Sequence, residues 1–89
     1  MRLTHHAEVR MEQRSISPLI VDWLIDFGAT SYDKHGAKRR FFDKRSRKRL
    51  TSAVGKSVVS QLSKQLSAYI VVGDDCVITV GYRTKRIRR

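Results

Sequence analysis

Cys76-Val77-Ile78-Thr79-Val80-Gly81-Tyr82-Arg83 is the most strand-like segment of the chain, and it runs on without a breaker through Thr84-Lys85-Arg86-Ile87-Arg88-Arg89. The β-branched residues at 77–80 suit a pleated, half-buried surface. Side chains of a strand alternate between faces, so Cys76, Ile78, Val80 and Tyr82 are expected on one face. Val77, Thr79, Gly81, Arg83 and Lys85 are expected on the other. The first set is bulky and apolar; the second shrinks to Thr and Gly and then turns cationic. The pattern predicts one face on a core and one face beneath something negatively charged.

Working back from this segment, Tyr69-Ile70-Val71-Val72 and the turn at Gly73-Asp74-Asp75 complete a hairpin. Before it, Leu50, Val54, Val58, Leu62 and Leu66, with Ala53, recur at helical period and predict one helix from about Lys48 to Leu66. A second hairpin is expected further back, with strands at Thr30–Asp33 and Lys38–Lys44 and a turn at His35-Gly36. Phe41 and Phe42 then point to opposite faces. At the N-terminus Thr4 can cap a helix that reaches Arg14, and Ser17-Pro18 is a strong start for another. That helix, Pro18 to Phe27, carries Ile20, Trp23, Leu24 and Phe27 at core spacing, with Asp22 and Asp26 opposite. Trp23 is assigned to packing, and Gly28 to a left-handed C-terminal position. The order is α-α-β-β-α-β-β. It predicts a single α+β domain over residues 1–89, with a small, mainly antiparallel sheet and a short basic C-terminal tail.

The chain has 89 residues, enough for one core, and a net charge of +11. Residues 34–49 hold nine basic residues and one acidic, and residues 83–89 hold five cations. The remainder is close to neutral. Clustering of this kind fits a phosphate-binding surface. Lys38, Arg39, Arg40, Lys44, Arg45, Arg47, Lys48, Arg49 and Arg86 are its candidate nucleic-acid contacts. The single cysteine, Cys76, can form no intramolecular disulfide and reads as a small buried hydrophobe. The longest apolar run, Leu19–Phe27, is too short to span a bilayer and contains two Asp. No signal peptide is read at the N-terminus, and a cytoplasmic protein with no membrane association is expected. His5-His6 and His35 lack the partners of a zinc site, so no metal is expected. No glycine-rich phosphate loop or serine-nucleophile signature is present, and no cofactor is expected.

What remains is an arrangement of cations, His and Tyr. Spacing of four aligns His6, Arg10 and Arg14 along one stripe of the first helix. Metal-independent RNA cleavage needs a base for the 2′-hydroxyl, an acid for the leaving oxygen and cations for the phosphorane. His titrates near neutral pH, and Arg binds phosphate oxygens in pairs. His6, Arg10, Arg14, Arg83 and Lys85 are therefore the candidate catalytic set. A non-catalytic nucleic-acid-binding module needs only the two charge blocks.

The opening His6-Ala7-x-x-Arg10-Met11-x-x-Arg14 with Ile16, then Gly28, Tyr32-Asp33, Phe41-Phe42, Lys48-Arg49-Leu50 and the closing Val77-Ile78-Thr79-Val80 before Arg83, resembles a group of small basic bacterial proteins placed beside the RelE/ParE-type toxins. The resemblance covers nearly the whole chain. It implies an α+β fold with an antiparallel sheet flanked by helices, and RNA as partner, including messenger RNA on the ribosome. It also implies a cognate antitoxin protein. Endoribonuclease activity is the expectation; a ParE-type gyrase inhibitor is the alternative that the same resemblance carries. Two positions depart from the relatives' pattern. Ser15 replaces a Gly common before the Ile. Tyr82 replaces a His common after Val-Gly and would have to take over its proton transfer, for which a phenol of pKa near 10 is a poor base.

Overall fold

The computed structural model describes residues 1–83. In chain order the elements are β1 (Arg2–Leu3), α1 (His5–Arg14), α2 (Pro18–Phe27), β2 (Ala29–Tyr32), β3 (Lys38–Phe41), α3 (Lys44–Val54), α4 (Lys56–Gln61), a 3₁₀ turn (Ser63–Ser67), β4 (Ala68–Gly73) and β5 (Cys76–Tyr82). The strands form one sheet in the order β1-β5-β4-β3-β2. The class is α+β. Four strands pair antiparallel as expected, and the two-residue β1, which the sequence pattern does not signal, pairs parallel with β5.

Local chemistry explains the ends of the first helices. Thr4 Oγ1 accepts from the N–H of Ala7, and Ser17 Oγ accepts from the N–H of Ile20, so both caps stand where the sequence puts them. Gly28 is not left-handed: its φ is −62° and ψ 150°. It is constrained instead by space, because a Cβ there would lie 2.5 Å from the Leu24 carbonyl oxygen. The left-handed residue is Ser15, at the end of α1. Asp33 closes the β2–β3 loop, its carboxylate accepting from the N–H groups of Ala37 and His35.

Two expected elements change shape. The strand expected to reach Lys44 stops at Phe41, because Asp43 and Ser46 form a reciprocal cap: Ser46 N–H donates to Asp43 Oδ1 and Asp43 N–H to Ser46 Oγ, each at 2.8 Å. The helix expected over 48–66 thus begins at Lys44 and breaks at Gly55, whose φ of 98° no helix admits. The break resets the helical phase. Val58 is left 38% exposed and Val59 packs in its place, while Val54, Leu62 and Leu66 pack as their spacing predicts.

One core cluster joins the elements. Ala7, Met11, Ile20, Val21, Trp23 and Leu24 from the first two helices, with Ile16 between them, meet Phe42, Leu50, Leu66, Ala68, Ile70, Val72, Val77 and Val80. Trp23, 6% exposed, packs as expected. Phe42 belongs to this cluster. Phe41 is equally buried but shares the opposite face with its register partner Tyr69.

β5 departs from strict alternation at one point. Val71 pairs with Thr79 and Val72 with Val77, leaving Ile78 as an extra residue in a β-bulge. The bulge shifts the alternation. Val77 enters the core, fully buried, while Ile78 is 42% exposed and lies over Gly73, where a Cβ would meet its Cδ1 at 2.7 Å. From Thr79 onward the expected faces hold: Val80 and Tyr82 face the core, and Gly81 faces the other side. Thr4 secures the bulge, its hydroxyl donating to the Ile78 carbonyl at 2.9 Å. Cys76 is half-buried at the strand's start.

Candidate nucleic-acid interface

The sheet divides the expected site residues between its two sides. Helix α1 lays Ala7 and Met11 on the core face, with His6 and Arg14 exposed and Arg10 half-buried on its remaining surface. Tyr82 also packs on the core side, and its hydroxyl donates to the Ser15 carbonyl at 3.5 Å. Burial raises the Tyr82 phenol above its ordinary pKa. It is neutral at pH 7 and is not poised as a base.

Arg83 lies on the other side. Its N–H continues the β4–β5 ladder to the Ser67 carbonyl, and its guanidinium sits 5.6 Å from the centroid of the Phe41 ring. Arg83 also donates to the Phe42 carbonyl at 2.7 Å. Phe41, Tyr69 and Gly81 are register partners and share that outer face. The sheet therefore stands between Arg83 and the His6–Arg10–Arg14 stripe. Lys85 and Arg86 lie outside the described residues. The set proposed for catalysis is not gathered into one place among those described.

The basic block at 34–49 sorts into different roles. Arg40, expected to contact nucleic acid, has the core-facing Ile70 as its register partner and is used internally. Its guanidinium donates to the carbonyls of Leu24 (2.8 Å), Ile25 and Gly28 (both 2.9 Å) and to Thr30 Oγ1 (2.9 Å). Arg49 adds a bond to the Phe27 carbonyl at 3.1 Å. Helix α2 has no basic residue in its own last turn, so these two arginines serve its carbonyl end from outside. Burial lowers the pKa of Arg40, with Arg49 beside it acting in the same direction. Arg47 reaches the Leu66 carbonyl at 3.5 Å.

Lys44, Arg45 and Lys48 are different. Ser46 and Leu50 form the buried stripe of α3, and these three cations occupy the side opposite to it, all exposed. Among the described residues none of their side chains is hydrogen-bonded or ion-paired. Lys44 and Arg45 also sit in a first turn that itself carries no acid, next to the N-cap Asp43, where the macrodipole favours negative charge. Lys38 and Arg39 are half-buried on β3, on opposite faces of it.

One group escaped the sequence reading: Tyr69. Its ring lies across Gly81, so that a Cβ at Gly81 would sit 3.1–3.2 Å from three of its atoms. The signal was present in the pairing of an aromatic with a glycine on neighbouring strands, but the register that joins them is tertiary. No family model, no curated protein and no solved structure matches this chain.

Proposed function

We propose that this protein binds nucleic acid, RNA foremost, through the exposed cations of α3 and the adjoining outer face of the sheet. The observation that carries this reading is the placement of Lys44, Arg45 and Lys48. Lys44 and Arg45 occupy the first turn of a helix, against its dipole, and Lys48 stands one turn on from Lys44, while the acid at that end, the N-cap Asp43, is turned to the Ser46 N–H. A protein loses stability by that arrangement, and a polyanion is the partner that compensates it. The resemblance to toxin-type RNA-acting proteins points to the same partner. Binding is favoured over cleavage because the sheet separates Arg83 from the His6 stripe, and because the Tyr82 phenol is shifted away from neutrality.

The test is fluorescence anisotropy with labelled RNA over a range of salt. Affinity should fall as salt rises, with a slope of about −0.7 per phosphate contact, hence about −2 for three cations. Reversing Lys44, Arg45 and Lys48 to Glu should abolish the binding. Salt-independent binding, or binding unchanged by the reversal, would refute the reading. RNA recovered from the same mixtures should be intact. New cuts that vanish in His6→Ala would restore the endoribonuclease reading.

A further inference from the structure

The outer face of the sheet holds a second arrangement that charge alone does not describe. Arg39 is the register partner of Val71, two residues from Tyr69 on the same face of β4. Arg83 stands opposite Ser67, two residues from Tyr69 in the other direction. Each arginine is thus a diagonal neighbour of Tyr69 across one strand gap, about 7–8 Å away between backbones. Arg39, Tyr69 and Arg83 form a line across three adjacent strands, with the aromatic ring in the middle.

The phenol end of Tyr69 is seated against β5, its Oη, Cε1 and Cζ lying 3.1–3.2 Å from where a Gly81 Cβ would stand. Gly81 offers no side chain there, which leaves room for Tyr69 to lie across it. Phe41, the other aromatic of this face, is buried and lies against the Arg83 guanidinium. Tyr69 is only half-buried. The neighbours on this face, Val71 and Thr79, are half-buried as well.

We propose that this diagonal binds one unpaired base of a single-stranded nucleic acid, stacked on Tyr69 with its flanking phosphates toward Arg39 and Arg83. The inference rests on the nucleic-acid reading above and narrows its substrate class. An aromatic ring lying on a sheet can stack only on a base whose face is uncovered, and in a duplex neighbouring pairs cover both faces. Nor can a sheet face enter a major groove, which admits a helix or a two-stranded ribbon. Stacking on an aromatic ring tolerates every base, so little sequence preference is expected.

The experiment compares a labelled single-stranded RNA of about 12 nucleotides with a duplex of the same phosphate count, at one salt concentration. Wild-type protein should prefer the single strand. Tyr69→Leu, which keeps apolar bulk over Gly81, should weaken single-strand binding about 5- to 150-fold and leave duplex binding and the salt slope unchanged. Tyr69→Phe should bind as the wild type does, which also reports that the fold tolerates change at this position. Equal affinity for both nucleic acids, or an equal loss on both in Tyr69→Leu, overturns the stacking site. Those outcomes leave the α3 reading intact, since that is refuted by salt-independent binding or by a Glu reversal without effect. No binding by any form overturns both.

Discussion

Ser15 holds φ 54° and ψ 42° at the C-cap of α1, a conformation that costs an L-residue with a Cβ about 1–2 kcal/mol. Glycine pays none of that but gives up more chain entropy on folding. Ser15→Gly should therefore raise stability by about 0.5–1 kcal/mol, read as a higher denaturant midpoint at unchanged slope. Two residues of the final hairpin, Asp74 and Asp75, are left-handed too, as a two-residue turn between right-twisted strands requires. Tyr82 offers a pH test. Its folded-state pKa is raised by burial above the ordinary value, so its contribution is fully present below about pH 10. That contribution is lost as the pH climbs through the raised folded value. A phenolate absorbance titration of the wild type against Tyr82→Phe should show the missing component titrating above the ordinary tyrosine range.

At the scale of the element, α2 depends on residues outside itself. Its last turn carries Asp26, the wrong sign for a carbonyl end, and Arg40 and Arg49 supply the donors. Arg40→Ala would strip three carbonyls and a hydroxyl of a charged partner. A loss of about 3 kcal/mol is expected in urea unfolding. Arg40→Lys should recover only part of it, because an ammonium cannot reproduce the guanidinium's planar fork. The sequence counted Arg40 among nine like cations in one block; nothing in local spacing marks it as the one turned inward. That distinction comes from the β3–β4 register, which sets Arg40 opposite Ile70 and Arg39 opposite Val71. The same element-scale logic explains the split helix. The apolar period ran through Gly55, but period does not encode a φ of 98°.

For the whole molecule, function and stability pull α3 in opposite directions. Lys44→Glu should make the fold more stable by about 0.3–1 kcal/mol, since an acid in the first turn suits the dipole. Lys48→Glu should do so by about 0.2–0.5 kcal/mol, since it turns an i,i+4 repulsion with Lys44 into a pair. The same changes should weaken RNA binding. A thermal melt and an anisotropy titration on one variant would separate this trade-off from a purely structural role, in which both quantities would move together. As for the membrane, no helix among the described residues is long and apolar enough to cross one.

Much of what local chemistry specifies was legible along the chain, although the Asp43–Ser46 cap that ends β3 and starts α3 was not. The caps at Thr4 and Ser17, the core helix around Trp23, the two hairpins and the α+β class follow from side-chain oxygens, periodicity and turn residues within a few positions of one another. Alternation along β5 gave the side of Arg83, but tertiary structure alone decided which side of the sheet Arg39, Arg40 and the α1 stripe occupy. A single extra residue, Ile78, reverses the faces of Val77 and Ile78 while leaving Thr79 to Arg83 as expected, because alternation has a period of two and one insertion inverts it. The sheet then separates His6, Arg10 and Arg14 from Arg83, although all four read as one site along the chain. It brings Tyr69, which no motif singled out, between Arg39 and Arg83.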